Sequence, residues 1–147
     1  MATFSRHVSV DWQGNLMEGK GTAKAGSGAF NLPVTFPARI GEPGGMTSPE
    51  ELIAAAHAAC YAMAFSHTLA EAGSPAEHVS VNAVCHLTPV DGGGVAVSRM
   101  DLDVHGTVPG LDQQAFERLA DEGDQGCPVS NALRGNVEIS ITATLDT

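Results

Sequence analysis

The sequence predicts one α+β domain over residues 1–147, with three strands, a long helix, two strands, two helices and a last strand. A chain of 147 residues has the usual length of a single domain. Apolar and polar residues alternate near both ends, which is typical of strands, and a long Ala-rich apolar segment lies between them. With 43% hydrophobic and 16% charged residues, the composition is that of a folded globular protein.

The first 37 residues predict a meander of three short strands. The segments TFSRHVSVDW, LMEGKGTAKA and AFNLPVTF alternate in polarity, and turns containing Gly separate them near residues 13–15 and 26–28. The next segment, ARIGEPGGM, is rich in Gly and Pro and predicts a loop. This loop carries one cation, Arg39.

The strongest helix signal follows this loop. Ser48 suits the N-cap, Pro49 suits the first helical position, and Glu50 in the first turn complements the helix dipole. Gly-Ser-Pro at residues 73–75 ends the helix. Residues 52–70 lack Asp, Glu, Lys and Arg, but their histidines and hydroxyls favour a buried central helix over a membrane span.

The C-terminal half returns to alternation and then to helices. Residues 78–87 and the segment VAVSRMDLDVHGTV predict two strands joined by a Gly-rich loop. LDQQAFERLADEG predicts an amphipathic helix, CPVSNALRG a shorter helix with Pro128 in its first turn, and NVEISITATL the last strand.

Charge and cysteine content exclude several classes of function. Seven basic and 17 acidic residues give a net charge of −10, which repels nucleic acids and anionic membranes. Three cysteines without a C-x-x-C pair are too few for a secreted disulfide framework and give neither a zinc ribbon nor a thioredoxin motif. The N-terminus lacks the pattern of a secretory signal, so we expect a soluble cytoplasmic protein.

The three cysteines differ in their surroundings. Cys60 lies in the middle of the apolar helix among alanines, where it is either a small buried hydrophobe or a reactive thiol. Cys127 precedes Pro128 at a predicted helix N-cap, where it either caps the helix or is favoured as a thiolate. Cys85 alternates in phase with apolar strand residues, which favours core packing over function.

Three further residues are candidates, each with an ordinary structural alternative. His57 lies one helical turn before Cys60 and is either a base, a metal ligand or a packed core histidine, although two ligands are too few for zinc. Arg39 is either a functional cation or a solvated loop charge. Glu50 is either a site carboxylate or a first-turn residue that complements the helix dipole.

Two segments carry a family resemblance. TSPEELIAAAHAACYAMAFSHTLAEAG, followed later by GCPVSNAL, resembles the osmotically inducible protein C / organic hydroperoxide resistance (OsmC/Ohr) family, and DWQGNLMEGKGT extends the resemblance toward the N-terminus. The resemblance implies strongly curved antiparallel sheets packed around a long central helix in an intertwined homodimer. It also implies a thiol-dependent peroxidase that reduces organic hydroperoxides and hydrogen peroxide.

The resemblance assigns a role to four residues. Cys60 matches the peroxidatic cysteine, which becomes a sulfenic acid, and Cys127 matches the resolving cysteine, which forms a disulfide with it. Glu50 matches the family carboxylate. Arg39, placed before the central helix, matches the arginine of the OsmC branch.

Elementary chemistry agrees with these roles. A buried thiol is inert, so a cation must favour the Cys60 thiolate, and the predicted helix contains neither Lys nor Arg. The guanidinium of Arg39, oriented by Glu50, can supply this charge. A dithiol partner, which the family suggests is dihydrolipoyl or thioredoxin-like, must then reduce the disulfide, and the reaction needs no cofactor.

The sequence leaves alternatives open for both the assembly and the function. On one helix Glu50 and Cys60 stand about 15 Å apart, so we expect a site assembled across a two-fold interface of two Ala-rich helices. The competing functions are a thiol redox sensor and a non-catalytic member of the same fold that binds a hydrophobic ligand. Metal binding through His57 and Cys60 is the weakest hypothesis.

Overall fold

The structure is a computed structural model that describes residues 4–146. These residues form two compact units, which divide between residues 52 and 53. The elements in chain order are β1 (Val8–Gln13), β2 (Lys20–Ala25), β3 (Asn31–Val34), α1 (Phe36–Ile40), α2 (Pro49–Glu71), β4 (His78–Pro89), β5 (Val95–Thr107), α3 (Gln113–Gln125), α4 (Pro128–Leu133) and β6 (Glu138–Leu145). This order confirms the predicted α+β class and adds one short helix, α1.

The first unit contains the predicted meander. Its sheet has the order β1-β2-β3 with both pairings antiparallel, and Val8 lies opposite Ala25 at one end of the first pair. Ala23 and Ala25 of β2 are buried, while the lysines of that strand are exposed. Gly21 allows close packing in this sheet, because a Cβ there would lie 2.8 Å from the Trp12 ring.

Arg39 lies on a helix, so the predicted loop at this position is wrong. Thr35 caps α1, since its Oγ1 accepts a hydrogen bond from the Ala38 backbone N–H at 3.2 Å, and Pro37 lies in the first turn. A capping hydroxyl followed by an early proline is a regular helix-start signal. The Gly and Pro residues after Arg39 favour a loop, but the Thr35 cap and Pro37 begin a helix before them.

The second unit contains a sheet of mixed direction with the order β4-β5-β6. Strands β4 and β5 pair antiparallel, with a register shift between His86 and Leu87. Strands β5 and β6 pair parallel, which differs from the antiparallel sheets that the family resemblance implied. A parallel pair needs a long crossover between its strands, and α3 with α4 supplies it.

The core of the second unit lies between α2, α3 and the sheet. Tyr61, Phe65 and Leu69 of α2 are fully buried in one cluster with residues of β5 and α3, including Leu102 and Phe116. By length and composition α2 could cross a membrane. The packing of its buried residues instead makes it the central helix of this unit.

The central helix α2 is buried along one side only. Four of its 23 residues are buried, and they follow one another at every fourth position: His57, Tyr61, Phe65 and Leu69. Met63, which lies outside this row, is 71% exposed. One stripe of α2 therefore packs in the core, and much of its remaining apolar surface stays accessible.

Both ends of α2 form as predicted. The Ser48 hydroxyl accepts a hydrogen bond from the Glu51 backbone N–H at 3.1 Å, which is the expected N-cap contact. At the other end Gly73 has a φ of 81°, and the Ser74 N–H donates to the Leu69 carbonyl at 2.9 Å. A glycine in the left-handed region is a common way for a helix to end.

Candidate active site

Cys60 lies in the central part of α2 and is half-buried. Its side chain packs against the core cluster of the second unit, which contains Cys127. The thiol lies one helical turn after His57, a member of the buried stripe. The fold therefore holds this sulfur at the edge of a packed core with partial access to solvent.

Cys127 is the N-cap of α4, as the sequence predicted. Its backbone is extended, with φ of −85° and ψ of 112°, and its Sγ accepts a hydrogen bond from the Ser130 N–H at 3.4 Å. The side chain is fully buried. The sulfur thus has a fixed direction set by the first turn of α4.

The structure brings Cys60 and Cys127 into side-chain contact as two reduced thiols. Burial raises the pKa of the Cys60 thiol, and the hydrogen bond with Cys127 acts in the same direction. The backbone N–H of Val129 at the start of α4 opposes this by lowering the Cys60 pKa. Within the second unit these groups together raise the Cys60 pKa, which disfavours the thiolate.

Arg39 and Glu50 form a close ion pair in the first unit. The Arg39 Nε lies 3.1 Å from both carboxylate oxygens of Glu50, and its Nη2 lies 2.6 Å from Oε1. The pair lowers the pKa of Glu50 and raises that of Arg39. The side chain of Arg39 is 31% exposed and that of Glu50 is 12% exposed. The carboxylate therefore orients the guanidinium while part of the cation remains accessible.

The neighbouring carboxylate of Glu51 is engaged elsewhere. It accepts a hydrogen bond from the Thr47 hydroxyl at 2.8 Å. Of the two first-turn acids, Glu50 is thus the partner of Arg39.

An open cavity of about 220 Å³ lies beside Arg39 in the first unit. Apart from Thr35 and the guanidinium, the cavity is lined by apolar residues: Trp12, Leu16, Val34, Phe36 and Pro49. It combines an apolar wall with one cation.

His57 is a buried, hydrogen-bonded histidine. Its Nε2 lies 2.7 Å from the Ser130 Oγ, and both side chains are fully buried. Burial is the main cause that lowers the His57 pKa, with the Asp124 carboxylate acting in the opposite direction. Among residues 4–146, no group of three or more His, Cys, Asp or Glu side chains is arranged to hold a metal ion.

Ser130 is the residue of this region that the sequence analysis missed. It lies in the first turn of α4, where its backbone N–H contacts Cys127 and its hydroxyl contacts His57. The sequence signal is its place three residues after a capping residue, where the N–H of a helix meets the cap. Its partner His57 lies on another helix, and the sequence alone does not pair them.

Cys85 lies in β4 as predicted, opposite Met100 of β5, and is half-buried. Three residues that alternate in phase with it pack against the core cluster: Val79, Val81 and Ala83. This placement agrees with a packing role for the strand face.

A sequence model of the OsmC-like protein family matches residues 41–142. The chain belongs to this family. Peroxiredoxin OsmC of Escherichia coli (strain K12) is 38% identical over 139 residues, which cover 93% of this chain and 95% of the relative. The organic hydroperoxide resistance protein of Xanthomonas axonopodis pv. citri is 33% identical over 127 residues, covering 84% and 85% of the two chains.

Solved OsmC and Ohr structures share the fold. An organic hydroperoxide resistance protein OsmC from Legionella pneumophila superposes with a TM-score of 0.76 and 28% identity, covering 98% of this chain and 99% of that chain. OhrB of Bacillus subtilis gives a TM-score of 0.78 with 24% identity, covering 97% and 100%. The resemblance derived from the two cysteine segments is thus confirmed at the level of family and fold.

Proposed function

We propose that this OsmC-like protein is a thiol-dependent peroxidase that reduces organic hydroperoxides to alcohols and hydrogen peroxide to water. The observation that carries the proposal is the contact between the Cys60 and Cys127 thiols, one half-buried on α2 and the other held at the cap of α4. Relatives named for peroxiredoxin activity and for organic hydroperoxide resistance support it.

The first step uses Cys60 as the nucleophile. Its thiolate attacks the terminal oxygen of the hydroperoxide, an S–O bond forms and the O–O bond breaks. The sulfur is oxidised to a sulfenic acid, and the leaving alkoxide takes up the proton that the thiol released, which gives the alcohol. Half-burial of Cys60 agrees with this role, because the substrate must reach the sulfur.

The cation for this step is Arg39 in our proposal. Burial raises the Cys60 pKa, so a thiolate at neutral pH needs a positive charge nearby. Helix α2 contains neither Lys nor Arg, so the charge must come from another element. Glu50 holds the guanidinium by two of its nitrogens, which fixes the direction of the remaining N–H groups. These groups can stabilise both the thiolate and the negative charge on the leaving oxygen.

The second step uses Cys127 as the resolving thiol. Its sulfur attacks the sulfur of the Cys60 sulfenic acid, the S–S bond forms, and the hydroxyl leaves as water with the Cys127 proton. A dithiol then reduces the disulfide by exchange and becomes a disulfide itself. We propose a dihydrolipoyl or thioredoxin-like reductant and a cytoplasmic location, where such dithiols are kept reduced.

The cavity beside Arg39 favours organic substrates. Its wall is mostly apolar and its volume is about 220 Å³, while the guanidinium supplies one polar end. An alkyl or aryl hydroperoxide has the same distribution of polarity, with an apolar body and a polar O–O group.

We also propose that the active protein is an intertwined homodimer. Much of the apolar surface of α2 is accessible in one chain, and small residues along this helix permit close packing of a second copy. Arg39 and Glu50 can then serve Cys60 of the same chain or of its partner. Dilution to a true monomer should abolish peroxidase activity, and a monomer that retains activity would contradict this arrangement.

A steady-state assay with cumene hydroperoxide tests the proposed function. With dihydrolipoamide as the reductant, the protein should consume many equivalents of peroxide, and titration should show two thiols lost and then restored in each cycle. Dithiothreitol and thioredoxin serve as alternative reductants in parallel assays. A single oxidation without repeated consumption of peroxide would instead indicate a thiol redox sensor.

A further inference from the structure

One buried hydrogen bond connects the helices that carry the two thiols. The His57 ring on α2 meets the Ser130 hydroxyl on α4 at 2.7 Å between Nε2 and Oγ, and neither side chain is exposed to solvent. Since the two residues lie far apart in the chain, this bond is tertiary and contributes to the relative placement of α2 and α4.

The bond lies one helical turn from each sulfur. On α2, His57 precedes Cys60 by one turn. On α4, Ser130 follows Cys127 by one turn, and its own N–H donates to the Cys127 Sγ at 3.4 Å. Ser130 therefore contacts His57 through its hydroxyl and Cys127 through its backbone.

We propose that His57 and Ser130 are positioning residues that hold the Cys127 sulfur against Cys60 for disulfide formation. The inference rests on the proposed function, in which Cys127 resolves the Cys60 sulfenic acid. In that step the S–S bond forms, the S–O bond of the sulfenic acid breaks, and water leaves with the Cys127 proton. The pair aligns the two sulfurs and takes no part in the proton transfer.

The His57 ring is suited to a positioning role. Its Nδ1 is buried and has no hydrogen-bond partner among residues 4–146, so the contact with Ser130 orients the ring within the described chain. Burial and Arg134 lower the His57 pKa, against the opposing effect of Asp124 on α3. A neutral ring keeps one N–H and one lone pair, and either tautomer of the ring can bond the hydroxyl.

Alignment has a large effect on such a step. Reacting atoms held in contact gain a rate advantage that falls steeply when a side chain shifts by a fraction of an ångström. Cys127 is the N-cap of α4, and the N–H that bonds its sulfur belongs to Ser130, the residue whose hydroxyl contacts His57. Loss of the His57–Ser130 bond should therefore slow disulfide formation and leave the earlier attack on peroxide unchanged.

Rapid-mixing kinetics on the full chain separate the two steps. One equivalent of cumene hydroperoxide is mixed with reduced protein, and the first phase follows peroxide loss while the second follows the decay of dimedone-reactive sulfenic acid. We expect H57A and S130A to keep the first rate and to slow the second about tenfold, the effect of losing one buried hydrogen bond in the transition state. H57Q, whose side-chain amide can still bond Ser130, should recover most of the second rate.

Tyr61→Phe is the matched control. Tyr61 lies on the same helix, is fully buried and donates one hydrogen bond of 2.8 Å to the Ala120 carbonyl on α3. Its loss should cost similar stability without slowing the second phase. The inference is overturned if H57A and S130A form the disulfide at the wild-type rate, or if Tyr61→Phe slows the second phase equally. A wild type that forms no Cys60–Cys127 disulfide would refute the proposed function itself, a failure visible without any variant.

Discussion

Replacing Cys127 with serine removes the second thiol and keeps the helix cap. The Cys127 Sγ is buried and accepts the Ser130 N–H at 3.4 Å, and a serine Oγ can accept the same bond. Serine is among the preferred N-cap residues, whereas alanine at an N-cap costs about 1 kcal/mol. For a chain of this size that cost lowers the melting temperature by about 3 °C. We therefore expect Cys127→Ala to melt below Cys127→Ser, with both variants folded.

In Cys127→Ser the loss of peroxidase turnover should be much larger than the change in stability. Cys127→Ser should still react with one equivalent of peroxide, because the first attack needs Cys60 and its proposed cation. Steady-state turnover at millimolar dithiol should fall about a hundredfold, because an external thiol replaces one held in contact. Dimedone should trap the Cys60 sulfenic acid, and excess peroxide should convert it to sulfinic acid, both visible by mass spectrometry.

Two results would refute this reasoning. One is full steady-state turnover of Cys127→Ser with dihydrolipoamide, which would make Cys127 a helix cap without a role in the cycle. The other is a Cys60–Cys85 disulfide in the oxidised wild type, which would assign resolution to the strand cysteine.

Three further variants test the remaining assignments. Cys60→Ser should eliminate peroxide reduction, because serine gives no comparable nucleophile at neutral pH, and any surviving activity in the peroxide assay would contradict the role of Cys60. Cys85→Ala should keep turnover near that of the wild type, since its strand face packs, and a folded but inactive variant would show that this interpretation is wrong. Arg39 lowers the pKa of Glu50 below its ordinary value of 4.5, so the ion pair stabilises the fold above that pH and its contribution is lost as the pH falls through the lowered pKa. Arg39→Ala should therefore raise the Glu50 pKa in a carboxyl NMR titration and slow the first step, whereas an unchanged titration would show that the pair is not formed in solution.

Local signals predicted most of the fold. Alternation of polarity predicted the strands, and Ser48 and Gly73 marked the ends of α2 through contacts within one turn. The parallel pairing of β5 with β6 could not be predicted in this way, because it depends on which edge of the sheet the chain reaches after α3 and α4. Which side of α2 is buried could not be predicted either, because alanines occur on every side of the helix and leave it no distinct apolar face in the sequence.

The candidate site, too, could be predicted only in part. The family resemblance paired Cys60 with Cys127, whereas the residues alone did not, because the contact of the two side chains depends on tertiary packing. The two-nitrogen contact of Arg39 with Glu50 depends on α1, a helix that lies where the Gly- and Pro-rich sequence predicts a loop. A serine in a helix gives no sign of a buried histidine on another element, which is why Ser130 was missed.

The parallel crossover to β6 has a consequence for the order in which the chain matures. The helices α3 and α4, with Cys127 between them, lie on the path that leads back along β5, and β6 follows them in the sequence. Ile141, Ala143 and Leu145 of β6 pack against the cluster that contains Cys127, so the second thiol gains its full surroundings after the last strand has docked. Pairing of such distant segments is a slow part of folding. In a chain made from its N-terminus, Cys60 therefore precedes its neighbour Cys127, and the two thiols can meet only after the segment beyond β5 has been synthesised.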